Sequence, residues 1–242
     1  YGKLDITTTV TRWVTLPYAK EYYGSDRAIE MIQHGLNILV SNGELDLREF
    51  DNDGDGVLDG LAVIHQGAGQ EYTGGANDIW SHSSIIYGLS FNGIQVRRYT
   101  IEPELLGTTG KMSTIGVICH EFGHNLGAPD FYDTDYSEHS GDYSGTGVWD
   151  LMGSGAWNGT SGDRPAHINM WQKIQMGWVS PIVLDTTQKV SAMPSAYNNA
   201  VAYQVNTTVP GEYFILENRQ QKGDFDVALP GHGMLIYHAN EE

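Results

Sequence analysis

The sequence predicts an α+β fold, and three observations lead there. Apolar residues recur at helical spacing in three separated segments. Short apolar or alternating runs of strand character lie before and between them. From about Pro181 onward strand-like runs follow one another with no helical period among them. The 242 residues suit one large domain, or a domain with a smaller lobe. A division into residues 1–180 and a β-rich segment 181–242 is expected, the second packed on the first or part of it.

Taken in order, Leu4–Val10 and Trp13–Leu16 are β-rich runs. Ala28, Ile29, Ile32, Leu36, Leu39 and Val40 share one helical face, and Asn42–Gly43 stops it. Val57–His65 reads as a buried strand around Leu61–Ile64. Ile94–Ile101 alternates, with Arg97 and Arg98 breaking the pattern, and is expected at a sheet edge. Ile115–Leu126 is a predicted helix that ends at Gly127. Residues 141–162 hold seven glycines and are expected to be loop. Pro165–Met176 reads as a further helix with Pro165 in its first turn. Lys189–Ala192, Val201–Val205, Tyr213–Glu217 and Gly233–His238 read as strands.

Composition narrows the function classes. An apolar share of 40% supplies a core, and 18% charged residues is too few for a disordered acidic chain. The balance of 13 Lys+Arg against 30 Asp+Glu, a net −17, argues against nucleic acid and anionic membranes as partners. No apolar run approaches the ~20 residues a membrane helix needs. Cys119 is the single cysteine, so no intrachain disulfide forms, and its apolar surroundings suggest a core thiol. The chain opens at Tyr1 without an initiator Met and closes at Glu242 just after a strand-like run, so a longer precursor is expected. A monomer is expected.

The chemistry concentrates at His120-Glu121-Phe122-Gly123-His124-Asn125-Leu126-Gly127-Ala128-Pro129-Asp130. Two histidines four apart project from one helix face, a spacing that suits two nitrogens on one Zn²⁺. Glu121 stands where its carboxylate reaches the attacking water rather than the metal, the place of a general base. Gly127 lets the chain leave the helix, and Asp130 returns as a third, oxygen ligand with the fourth position open, as a catalytic zinc requires. His139 is the alternative third ligand. Downstream, Met152 lies in Trp149-Asp150-Leu151-Met152-Gly153-Ser154-Gly155, where a tight turn would set an apolar floor under the histidines.

Residues 51–59 match the first nine positions of an EF-hand loop. Asp51, Asp53 and Asp55 offer carboxylates, Gly56 the sharp turn, Val57 a carbonyl and Asp59 the next vertex. Ala62 takes the place of the twelfth-position glutamate, so a variant structural Ca²⁺ loop is expected, with Glu44, Asp46 or Glu49 completing it. Asp133, Asp135, Glu138 and Asp142 form a second acidic cluster that either binds another Ca²⁺ or is solvated. His82, Trp157 and Trp171 read as structural, and His167, His232 and His238 have no role assigned from sequence.

With those motifs in place, the chain resembles the metzincin clan of zinc endopeptidases, and within it the immune-inhibitor-A-type metallopeptidases. The likeness is carried by Ile79–His82, His120–Asp133, Trp149–Trp157, Pro165–Pro181, Glu217–Gln220 and Leu229–Gly233. It departs from the broader clan at Asp130, where most members use His, and at Ser154, where some place a tyrosine. The resemblance implies a metzincin-like domain: a twisted mixed sheet, an active-site helix and a Met turn, followed by the β-rich segment. It implies a secreted, extracellular enzyme, made with a propeptide and C-terminal modules.

The expected reaction is hydrolysis of peptide bonds in extracellular proteins. One catalytic Zn²⁺, held by His120, His124 and Asp130, polarises the substrate carbonyl, and Glu121 takes the water proton and passes it to the leaving amine. The substrate is expected to lie extended along Ile94–Ile101 by strand addition. Two alternatives stay open at this level: a zinc hydrolase of a non-peptide amide, and a non-catalytic binding module on the same fold.

Overall fold

The computed structural model describes residues 1–135, 143–185 and 187–241. They form two compact units, one of residues 7–125 and one of residues 1–6 with 126–242.

Residues 1–16, of which 7–16 open the first unit, are mostly exposed and without regular structure. The β-rich runs expected at Leu4–Val10 and Trp13–Leu16 are therefore not strands. Their apolar residues find no sheet to join, and Val10 and Trp13 are exposed. Helix α1 (Lys20–Tyr23) leads to α2 (Ala28–Ser41), which buries Ala28, Met31, Ile32, Leu36 and Leu39 at the spacing of one face. Strand β1 (Ala62–Ala68), a short helix α3 (Gln70–Thr73), β2 (His82–Ile85), the pair β3 (Ser90–Phe91) and β4 (Ile94–Gln95), β5 (Arg98–Leu105) and helix α4 (Ile115–Asn125) follow. Strand β1 starts five residues later than Val57 because residues 51–59 are spent on a tight loop, with Val57 making only a bridge to Gln95.

The sheet order is β1-β5-β2, with β1 parallel and β2 antiparallel to β5. Ile94–Ile101 is thus not an edge. The chain passes from the β3–β4 hairpin into the central strand at Arg97–Arg98, and Tyr99–Pro103 is buried without interruption. A strand covered on both faces loses the alternation that sequence reading depends on. Pro103 is tolerated in this central strand because β2 pairs only with Arg98–Ile101 and needs no N–H from it. Tyr99 and Ile101 join the α2 face, Leu47, Ile79, Ile86 and Val96 in one core.

In the second unit short 3₁₀ turns at Gly147–Trp149 and Ser154–Trp157 precede helix α5 (Met170–Gln175). The helix begins well after Pro165, because residues 166–169 give their N–H groups to other partners: Ala166 to Gly155 O, His167 to Asp226 and Asn169 to Asp150. The Asn169 side chain then caps α5 by accepting from Gln172 N at 2.9 Å. Strands β6 (Ile182–Leu184), β7 (Tyr203–Asn206), β8 (Glu212–Arg219) and β9 (Gly233–Asn240) form a sheet in that order. Lys189–Ala192 is not a strand; the strand of this stretch is β6, which ends five residues earlier at Leu184. Met170 and Val179 share a core with Ala202 and Ile215, so the strands after 181 pack with residues from before that point.

Candidate active site

Helix α4 carries His120, Glu121 and His124. His120 and Glu121 are each 8% exposed, and the two imidazole rings lie edge to face with centroids 4.9 Å apart. The helix ends at Asn125, and Gly127 takes φ +91°, a left-handed turn that a side chain would oppose. The chain comes back three residues later at Asp130. His120, His124 and Asp130 each offer a ligand atom, all within 4.8 Å of one another. Two imidazole nitrogens and one carboxylate oxygen at that separation are a donor set that fits Zn²⁺ with a position to spare.

The return of the chain is held by a chain of hydrogen bonds that the sequence reading missed. Phe131 N–H donates to Met152 O at 2.8 Å. Gln172 Nε2 donates to Pro129 O at 3.1 Å, beside Asp130. Met152 is fully buried in its turn, below Asp150 in the chain. Asp150 is itself fully buried, so it belongs to no solvated acidic cluster. Its Oδ1 accepts from Asn169 N at 2.9 Å and Met152 N at 3.3 Å, and its Oδ2 from Asn169 Nδ2 at 2.6 Å and Thr146 Oγ1 at 2.9 Å. Burial pushes its carboxyl upward, and these donors oppose the shift.

Helix α4 packs against β5 and β2. Ser83 Oγ donates to Asn125 Oδ1 at 3.0 Å. On β5, Glu102 is completely buried, and among the described residues neither carboxylate oxygen has a partner at hydrogen-bond geometry, the Thr100 hydroxyl lying nearby. Burial, followed by the neighbouring charges of Glu121 and Glu71, pushes its carboxyl up to about 8, with the Thr100 hydroxyl opposing. A glutamate on a strand carries no sequence mark of this, since only the packing of α4 over β5 removes it from water.

Asp51, Asp53 and Asp59 bring carboxylate oxygens within 4.8 Å of one another. Gly56 sits at φ +80° and gives its N–H to Asp51 Oδ2 at 3.1 Å. Asp55 Oδ1 accepts from Val57 N at 2.8 Å. Glu44 is bound to Arg12 and Asp46 to Arg48, so neither stands ready to complete a cation shell. His139, Glu138 and Asp142 lie outside the described residues.

Three of the other histidines have hydrogen-bond partners away from the site. His82 bridges Trp80 O and Tyr99 OH, and His238 meets Glu212 at 2.7 Å. His232 lies 3.4 Å from Gln221 Oε1. His167 is half-buried, and desolvation chiefly pushes it down to about 4.

Residues 1–179 match the catalytic domain of the immune inhibitor A peptidase M6 family. The chain belongs to that family. It is 33% identical over 198 residues to Immune inhibitor A of Bacillus thuringiensis subsp. alesti, a match that covers 65% of this chain and 27% of that protein. It is 30% identical over 203 residues to the Pre-pro-metalloprotease PrtV of Vibrio cholerae serotype O1, covering 66% of this chain and 21% of that protein. The chain therefore spans about a quarter of the length of these curated relatives. No solved structure matches it significantly. As a member of the M6 family the chain carries a metallopeptidase catalytic domain over residues 1–179. None of its described helices is long and apolar enough to cross a membrane.

Proposed function

We propose that this chain is the catalytic part of a secreted, zinc-dependent endopeptidase that cuts extracellular proteins. The observation that carries the reading is the convergence of His120, His124 and Asp130 at the end of α4, with Glu121 beside them, in an M6 family chain. His120, His124 and Asp130 hold the metal. Zn²⁺ supplies Lewis-acid polarisation of the substrate carbonyl when bound. Glu121 accepts the proton of the attacking water and later delivers it to the leaving amine. The turn of Met152 braces the segment that bears Asp130 through the Phe131–Met152 hydrogen bond and is proposed as the Met turn. The substrate strand has a different place from Ile94–Ile101. Strand β2 pairs with β5 on one side only and touches α4 through Ser83, so its other edge can receive an extended chain. The loop of Asp51, Asp53, Asp55, Val57 and Asp59 is proposed as a structural Ca²⁺ site, on the strength of three converging carboxylates.

A Glu121→Ala variant tests the central claim. It is expected to retain one zinc per chain by elemental analysis and to lose nearly all turnover of casein. Full turnover would remove Glu121 from the mechanism, and loss of zinc with retained fold would make it a ligand instead.

A further inference from the structure

Where β2 ends at Ile85 a groove of about 660 Å³ opens, walled by residues 85–90 and 95–98. Its apolar part is unusually open to water: Ile85 is 40% and Tyr87 87% exposed. Its charged part is Arg97 and Arg98, both exposed. The chain has 13 Lys+Arg against 30 Asp+Glu, and the nearby bases are matched: Arg12 with Glu44, Lys20 with Asp78, Arg48 with Asp46. Arg97 and Arg98 enter no ion pair among the described residues; the one polar contact of their side chains is Arg97 Nε to Gln95 Oε1 at 3.1 Å. Their backbones are fixed, with Ile86 N–H on Arg97 O at 2.7 Å and Arg98 opposite Ile85 in the sheet.

The groove continues the strand that touches the helix of His120 and His124. Ser83 meets Asn125, and Ile85 lies two residues on, about 7 Å along an extended chain. The groove begins where β2 ends, so a polypeptide laid along β2 and carried past Ile85 would reach its wall.

We propose that this groove is a specificity site that takes a stretch of substrate bearing an Asp or Glu side chain beside an apolar or aromatic one. The carboxylate meets Arg97 and Arg98, and the apolar side chain covers Ile85 and Tyr87. This inference rests on the peptidase reading above and adds the substrate class. Charge complementarity selects the occupant. A surface at net −17 repels acidic peptides in general, and a pair of guanidiniums offers them one place, with donor geometry matched to a carboxylate.

The test uses a labelled peptide that the enzyme cuts, made as a series with Glu or Gln at each position around the cleavage point. On zinc-loaded Glu121→Gln protein, fluorescence anisotropy should show one or two positions at which Glu binds roughly three- to fivefold tighter than Gln. The preference should fade in 0.5 M salt, disappear in R97Q/R98Q, and survive only in part in R97K/R98K, which keeps the charge and loses the planar fork. In turnover by the wild type the same preference should appear in KM. R97Q/R98Q should close the gap in KM between the Glu and Gln peptides, with an unchanged melting temperature. Equal binding of Glu and Gln at every position, or a preference that survives R97Q/R98Q, overturns the proposal. So does concentration-dependent dimerisation abolished by R97Q/R98Q, which would give the groove to a second copy of the chain. If the wild type cuts no peptide or protein, the peptidase reading falls, and the same Glu/Gln series built on a casein-derived peptide decides by anisotropy whether the groove selects acids.

Discussion

The backbone N–H of Phe131 donates to the carbonyl of Met152 at 2.8 Å, which ties the residue after Asp130 to the turn twenty-one positions downstream. That turn is in turn pinned by Asp150, whose two oxygens collect four donors from Thr146, Met152 and Asn169. Replacing Asp150 by Ala leaves those donors buried without an acceptor. It is expected to cost about 3 kcal/mol of stability, and Asp150→Asn about half of that. Because the same turn braces the Asp130 segment, Asp150→Ala should also weaken zinc retention on dialysis. Urea unfolding and a zinc competition titration measure the two effects; an unchanged zinc affinity would confine Asp150 to stability.

A second buried network lies under the strands. Arg219 is fully buried and its fork meets Asp226, with Nε to Oδ2 at 2.9 Å and Nη2 to Oδ1 at 2.5 Å. Its Nη1 reaches Glu217 Oε1 at 3.3 Å, and Tyr237 OH donates to the same oxygen at 2.6 Å. Asp226→Ala strands the guanidinium, and about 3–5 kcal/mol should be lost in denaturant unfolding. Arg12→Ala, at an exposed pair, should cost less than 1 kcal/mol. Similar losses for the two would show that burial does not govern these pairs.

Glu102 makes stability depend on pH. Its carboxyl is raised from 4.5 to about 8 in the folded chain, so between those values the folded state holds a proton that the unfolded state has released. Its contribution to stability is full below about pH 4.5, declines as pH rises, and is lost through pH 8. Glu102→Gln keeps the shape and removes the ionisation. The variant should gain on wild type by on the order of a few kcal/mol at pH 8 and change little at pH 4.5. Thermal melts of both proteins across that range, with zinc held constant, measure it; parallel curves would refute it.

The proposed Ca²⁺ loop predicts a rise in melting temperature with calcium that Asp53→Ala abolishes. At a hundredfold excess over Kd the gain is about 2.7 kcal/mol. Addition of calcium to the chelated protein, followed by calorimetry, is the measurement. A melt insensitive to calcium would leave Asp51, Asp53 and Asp59 as a solvated turn.

The parts of this protein that were legible in its sequence are those whose determinants lie within one or two turns of chain. Helices α2 and α4 announce themselves by apolar spacing and by Gly43 and Gly127 at their ends. His120, His124 and Asp130 lie within eleven residues, so an α-helix and one glycine turn suffice to bring them together. The loop at 51–59 is local in the same way. What the sequence could not say is which partner each segment meets. Leu4–Val10 has strand propensity and no neighbouring strand. The arginines that made Ile94–Ile101 look like an edge mark only its entry into the central strand. Asp150 reads as one more acid in an acidic stretch, until Asn169 and Thr146 close over it. Glu102 reads as a surface residue until α4 covers β5. Local spacing therefore determined the presence and order of the chemical groups. Tertiary packing decided which of them leave water, because burial depends on contacts between residues far apart in the chain, and no local pattern records those.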